Sequence, residues 1–496
     1  MFHTGLRRAS VLLIAAAIVV LARNPGRVAA QVKSDTGEDR KEESEAIRKL
    51  EPLVPAIKAA LQGTNPEAQR AAFVAVSELP PALVSRSDLS DAVAAALQKV
   101  KDPDLLAVGL RSFGKSSPRA ADLAKVLSPH QTADNPVVRE AVGEALASVL
   151  ANAVPAQKFI GKAKGFVDAA TQSLPLVAKS LDDADTRTQW WALEGLHTTI
   201  KAVTEVVNNE SRPGPGDDAK VKLGAQLDAL NPVFDGIGTA LPKLKGPLAA
   251  DDTAVRISAA RLLDEVGYLR RALLVAQPAG AGPLPSALKA AYPALAQRMA
   301  DPDPEVRLAA VEAIESLDRG VDGSTALIQA ASDPSIFVRW AAGRALGRLA
   351  DGPPEAGEPA ARINALARLV GDRDIDVRTA ALTAIAKYGT AAKSAIPDVA
   401  AAAGRGDVEP RLAAIKALAA LQSDAESTVP VLIEGLRHRD LRLRRAAAAA
   451  LVRFGAKARP ALDELRIAMD STDPELRLAA AAAILAIEVR VKPRDD

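Results

Sequence analysis

The pattern that organises the chain runs from Asp301 to Leu317, DPDPEVRLAAVEAIESL. A polar turn rich in Asp and Pro opens into a stretch whose large apolar residues, Val306, Val311, Ile314 and Leu317, recur at helical spacing. That spacing puts them on one face of a helix and predicts that this face is buried. The same pattern returns as Val377, Leu382, Ile385 and Tyr388, and as Leu476, Ala481, Ile484 and Ile487. Each copy is preceded by another apolar-periodic stretch that often begins with Pro followed two residues later by an aliphatic residue, as in Pro175, Pro242, Pro293, Pro397, Pro430 and Pro460. Pro fits a first helical turn, where its missing N–H has no partner to lose, so these residues are expected to open first helices. Asp303, Ser335, Asp374, Asp407, Asp440 and Asp473 stand where second helices start and are expected to cap them. No run alternates as a strand would, and the expected fold is all-α.

An Arg in the first turn of each second helix serves as a ruler: Arg256, Arg307, Arg339, Arg378, Arg411, Arg444 and Arg477, the last four 33 residues apart. A constant period of this length means stacked supersecondary units. Looser copies upstream are centred on Arg70, Leu106, Arg139 and Arg187, which makes about eleven helix pairs. A cation in a first helical turn opposes the helix dipole. The cap Asp four residues earlier faces it, as Asp303 does Arg307 and Asp473 does Arg477. An ion pair within or between repeats would offset the penalty, so Arg307, Arg339, Arg378, Arg411, Arg444 and Arg477, with Asp303, Asp374, Asp407, Asp440 and Asp473, are read as a structural ladder.

The D-P-x-V-R-x-A-A second helix after a P-x-L first helix resembles HEAT repeats, in particular the short HEAT-like type of phycobilin-lyase-related proteins. The resemblance is strongest from Asp301 to Val491 and weak before Asp251. It implies a right-handed α-solenoid with second helices lining a concave face, and the binding of other macromolecules. The T-P-L-H and W-L-G-Y signatures of ankyrin and tetratricopeptide repeats are absent.

Composition narrows the picture. Hydrophobic residues make up 48% of the chain but aromatic ones only 3%, so the interior must be built from small side chains that let helices approach closely, unlike a β protein. Residues 1–30 read as an export signal, with Arg7 and Arg8, an apolar run from Val11 to Ala22 and small residues at Val28–Ala30. Cleavage after Ala30 and retention as an N-terminal anchor are both open. Residues 31–44 read as a charged spacer, 45–250 as divergent repeats with insertions, 251–491 as regular repeats and 492–496 as a tail. Three Pro- and Gly-rich segments, Ser211–Asp218, Gln277–Pro285 and Asp351–Pro359, are expected to be surface loops. The net charge of +2 includes four Arg of the leader and becomes −2 without them, which removes the compositional case for nucleic acid. With no Cys, an exported chain of this kind has no disulfide, thiolate metal site or Cys nucleophile.

Candidate chemistry is sparse. His130, His197 and His438 are not spaced for metal, and neither a nucleophile elbow nor a phosphate-binding loop is present. No catalytic, cofactor or metal residue is assigned. Two features remain. Arg344 and Arg348, Lys387, Lys416 and Arg453 fall five or nine residues after signature Arg residues, and stacking would align them into a basic band. Arg437, His438, Arg439, Arg442 and Arg445 form a second basic patch. Both fit ordinary solubilising charge, or a docking surface for an acidic protein segment or anionic polymer. The second feature is Trp190 beside Trp191: adjacent helical residues point about 100° apart, so one is expected in the core, with Trp191 the candidate partner anchor. The sequence therefore predicts an exported, non-catalytic interaction scaffold. A membrane-tethered envelope protein held by an uncleaved leader ranks second, and an enzyme or bilin-lyase-like protein on the same scaffold below both.

Overall fold

A computed structural model of the chain describes residues 45–488 except 46, 117–118, 156–160, 162, 211–226, 277–283, 318–320, 351–358 and 422–423. The leader, the spacer, the tail and nearly all of the three Pro- and Gly-rich segments lie outside the described residues. The described chain is all-α and contains no strand. Its second helices are α1 (Pro66–Glu78), α2 (Pro103–Lys115), α3 (Pro136–Ala153), α4 (Thr186–Glu210), α5 (Thr253–Ala276), α6 (Pro304–Leu317), α7 (Ile336–Arg348), α8 (Ile375–Lys387), α9 (Val408–Leu421), α10 (Leu441–Leu451) and α11 (Pro474–Glu488). The chain divides into two compact units, Met1–Leu295 and Ala296–Asp496. Within each, helix pairs stack as an α-solenoid, and each second helix packs on the next: α1 through α5 in the first unit, α6 through α11 in the second.

Why these segments are helical is visible at their starts. Asn65 Oδ1 accepts from Glu67 N at 2.9 Å, Asn135 from Val137 N at 2.9 Å, Asp252 from Ala254 N at 2.8 Å, Asp303 from Glu305 N at 2.8 Å and Asp374 from Asp376 N at 2.9 Å. Each bond satisfies a backbone donor that has no partner inside the helix, worth about 1 kcal/mol per cap. Ser335 departs from this pattern. Its hydroxyl makes no cap bond; instead its own N–H donates to Asp333 Oδ1 at 2.8 Å, because the preceding Asp already folds the turn.

The expected apolar faces are buried at Val306, Val311, Ile314 and Leu317 and at Val377, Leu382, Ile385 and Tyr388. Of the four positions expected in α11, Leu476 and Ile487 are buried, while Ala481 and Ile484 are partly exposed and Ala480 and Ala483 are buried in their place. Alanine fills much of the contact between second helices, as at Ala310, Ala313, Ala342, Ala345, Ala381 and Ala384. Two glycines mark the closest approaches. A Cβ on Gly114 would lie 2.4 Å from Ala145 Cα, and one on Gly347 2.6 Å from Ala384 Cβ.

The first helices correct one expectation. Pro175, Pro293 and Pro430 lie inside their helices rather than at the start. All three are exposed, so the carbonyl each leaves unbonded faces water and an additional turn can form upstream. Pro397 is in a first turn, as expected.

Candidate functional site

The turns that lead into the second helices build a repeated polar edge. In five of these turns the signature side chain folds back on its own segment: Arg139 Nη1 donates to the Ala133 carbonyl at 2.7 Å, Arg256 Nη1 to Ala250 at 2.8 Å, Arg307 Nη1 to Asp301 at 2.8 Å, Arg339 Nη1 to Asp333 at 2.9 Å and Arg378 Nη1 to Asp372 at 2.9 Å. The remaining nitrogens reach the next repeat. Arg307 Nε and Nη2 hold Asp333 at 2.7 and 2.9 Å, and Arg339 holds Asp372 at 2.7 and 3.0 Å. Arg139 reaches Asp183 at 2.8 Å and Arg378 reaches Asp407 at 2.6 Å. The cap Asp four residues upstream is not the carboxylate these Arg hold. Asp303 and Asp374 spend their oxygens on helix N–H groups, so the ion pair runs between repeats.

Planar two-point contact with a carboxylate is what a guanidinium does best. It raises the pKa of Arg307 and Arg339, and the Arg339 hydrogen bonds hold the Asp372 carboxyl below its usual value. Asp372 also accepts from Asp374 N at 2.9 Å, so one carboxylate joins two repeats and shapes its own turn.

Two upstream ladder positions differ from expectation. Gln69, not Arg70, sits four residues after the Asn65 cap and donates to the Gly63 carbonyl at 2.8 Å. Gln189, not Arg187, likewise donates to the Asp183 carbonyl at 2.7 Å. An amide N–H replaces the guanidinium in the clamp, while Arg70 and Arg187 are exposed.

The ladder loses its regularity further on. Arg411 gives Nε to the Ala403 carbonyl at 3.0 Å and Arg477 gives Nη1 to Ser471 at 2.8 Å. Asp440 is held by Arg442 at 3.0 Å, and Asp473 pairs closely with Arg445.

The basic band is mostly not free charge. Arg344 and Arg348, one turn apart on α7, both face Glu315 of α6, Arg344 at 3.6 Å and Arg348 closer. Arg344 also lies over the Trp340 ring, 4.8 Å from its centre, a cation–π contact. Lys387, Lys416 and Arg453 are exposed and make no ion pair among the described residues. In the second patch Arg442 pairs with Glu409 at 2.5 Å, Arg445 with Glu475 at 2.5 Å and Arg437 with Glu464 at 2.7 Å. Exposed pairs of this kind contribute at most about 1 kcal/mol each.

The tryptophans sit the other way round from the expected order. Trp191 is half-buried against Gly143 of α3, whereas Trp190 is 39% exposed; the rings meet edge to face at 4.8 Å. Trp190 borders a groove between α4 and α5 that also holds Glu194, His197, Ser258, Arg261 and Glu265. His197 Nδ1 lies 2.7 Å from Glu265 Oε2, and this hydrogen bond raises the imidazole pKa. Among the described residues no cluster of His, Asp and Glu is arranged to hold a metal, and no helix is long and apolar enough to cross a membrane.

The residues that sequence reasoning passed over are apolar. Ile336 and Phe337, in the first turn of α7, and Ile375, in the first turn of the neighbouring α8, face solvent, and Phe337 is 70% exposed. Their signal was available in the sequence: a large apolar side chain at the first or second helical position precedes the periodic buried face.

Stacked helix pairs with an Asp-turn and Arg clamp define a helical-repeat protein. Residues 292–360, 324–419 and 396–485 match the model of HEAT repeats. The match is to HEAT repeats as a class. No curated protein matches the chain. Among solved structures, an engineered protein is similar at 20% identity over 88% of this chain and 99% of its own, with a TM-score of 0.46. Kap121p is similar at 14% identity over 94% of this chain and 49% of its own, with a TM-score of 0.47.

Proposed function

We propose that the protein is a non-catalytic interaction scaffold of the exported or cell-envelope compartment. It binds a partner protein through the surface at the start of its second helices. The observation that carries this is the apolar patch of Ile336, Phe337 and Ile375 on adjacent repeats. Each is turned to water, whereas Val338 and Val377, the next apolar residues of the two helices, are buried. Covering an exposed Phe gains roughly 2 kcal/mol, and contiguous apolar surface with a polar rim is the usual mark of a protein contact. Exposed Asp376, next to Ile375 in the same first turn, supplies part of that rim. The leader read in residues 1–30 supports the compartment.

A photoreactive phenylalanine analogue at position 337, compared with the same group at exposed Glu426, tests the reading in intact cells. Crosslinks to one protein from position 337 alone are expected, and Phe337→Asp should abolish its co-purification. Equal labelling from both positions, or co-purification unaffected by Phe337→Asp, refutes it.

A further inference from the structure

Six residues before the signature Arg, the turns of the second unit carry Asp301, Asp333, Asp372, Arg405, His438 and Ser471 in order. At Asp333 and Asp372 this position supplies the carboxylate that closes the ladder on the preceding Arg. From Arg405 onward it supplies none. Three of the acids in these turns are held by other side chains: Asp407 by Arg378, Asp440 by Arg442 and Asp473 by Arg445. Arg411, Arg444 and Arg477 therefore make no ion pair among the described residues. Arg444 Nε is buried and has no acceptor. Three successive signature Arg residues are thus without an ion-pair partner among the described residues, Arg477 alone keeping the bond to the carbonyl six residues before it, and α9, α10 and α11 stack side by side.

We propose that this turn edge of α9, α10 and α11 binds an acidic peptide segment whose carboxylates stand at every third residue. Those carboxylates take the places that Asp333 and Asp372 take upstream. Stacked helices lie about 8–10 Å apart, so the first turns that carry these Arg residues recur at about that interval. A polyproline II chain has three residues per turn and rises about 3.1 Å per residue, which presents every third side chain on one side at intervals of about 9.3 Å. An extended strand turns alternate residues to opposite faces and cannot match this interval on one side. A nucleic-acid strand, with a phosphate about every 3.4 Å of helix axis, has no period that selects these sites. The preferred ligand is therefore a protein segment with Asp or Glu spaced by two residues, Pro being favoured between them. This names the chemistry of a partner for the proposed scaffold and rests on that reading.

The test is fluorescence polarisation of the full chain with two labelled peptides of one composition, (Glu-Pro-Pro)4 and a block peptide with its four Glu together. The periodic peptide is expected to bind at least about tenfold more tightly, and Arg477→Ala, at an exposed side chain, should remove most of that preference. Arg444→Ala should do the same where its thermal melt shows a folded protein. Equal affinity for the two peptides, no binding of either, or competition by inorganic polyphosphate stronger than by the periodic peptide overturns the proposal. Any of these outcomes leaves crosslinking from position 337 untouched, so failure here is distinguishable from failure of the scaffold reading.

Discussion

Asp372→Ala is the substitution with the largest consequence for the ladder. It removes two charge-assisted bonds from Arg339, at 2.7 and 3.0 Å, and the acceptor for Asp374 N at 2.9 Å. Breaking a buried ion pair costs about 3–5 kcal/mol and an exposed one about 0–1. The Arg339 and Asp372 side chains are 17% and 10% exposed, so the loss should be about 2–3 kcal/mol. Asp372→Asn keeps an acceptor for Asp374 N and should cost less, which isolates the charge. The double variant with Arg339→Ala should show a coupling of about 2 kcal/mol in urea unfolding. Because repeat arrays respond locally, faster amide exchange should be confined to α7, α8 and the turn between them. The depressed Asp372 pKa fixes the pH dependence. Its contribution is complete above the ordinary carboxylate value of about 3.9 and is lost as pH falls through the lower native value. Asp372→Asn should flatten stability over that acidic window. A coupling below about 0.5 kcal/mol, or exchange that rises equally in α9 to α11, would show that the pair does not join the repeats.

Other outcomes follow from the same geometry. Gly114→Ala should destabilise the α2–α3 contact by about 1–3 kcal/mol despite the better helix propensity of Ala, because the new Cβ meets Ala145 backbone; a thermal melt of the variant checks this. Gln189→Leu should cost about 1–2 kcal/mol by leaving the Asp183 carbonyl without its donor, read as faster exchange at the start of α4. The His197–Glu265 pair contributes stability that is complete below the ordinary His value of about 6.5 and is lost as pH rises through the raised native pKa. The melting-temperature difference between the wild-type protein and His197→Ala should accordingly be larger at mildly acidic than at alkaline pH. An equal difference at both would exclude a charged pair.

The sequence made the helix pairs legible because burial and capping act over a few residues. The positions of Val306, Ile314, Val377 and Ile385 follow from helical spacing alone, and the Asp caps from the chemistry of a helix start. The partners of the ladder were less legible. Asp303 lies close to Arg307 in sequence, but its oxygen is already committed to the Glu305 N–H, so the Arg turns to Asp333, 26 residues away. The slips at Arg70 and Arg187 came from searching for a residue type instead of a place. Counting four residues from the caps at Asn65 and Asp185 leads to Gln69 and Gln189, whose amides make the same bond. The basic band overstated free charge because Glu315, on a different helix, neutralises Arg344 and Arg348 together. Which of the two tryptophans faces water depends on the path of α3 at Gly143, and helical spacing within α4 does not contain that information.

The ladder also has a mechanical consequence. Arg307 and Arg339 each stitch one turn to the next by short, directional bonds along a single hem of the array, and this hem resists lengthening. Alanine contacts behind it, such as Ala342 and Ala381, lose no rotamer freedom on burial and carry no directional bond that sliding would break. When the second unit flexes, the hem should keep its length while the first-helix side opens and closes. A ligand that bridges the unstitched turns at Arg411, Arg444 and Arg477 would extend that hem and stiffen the part of the array that is otherwise free to flex.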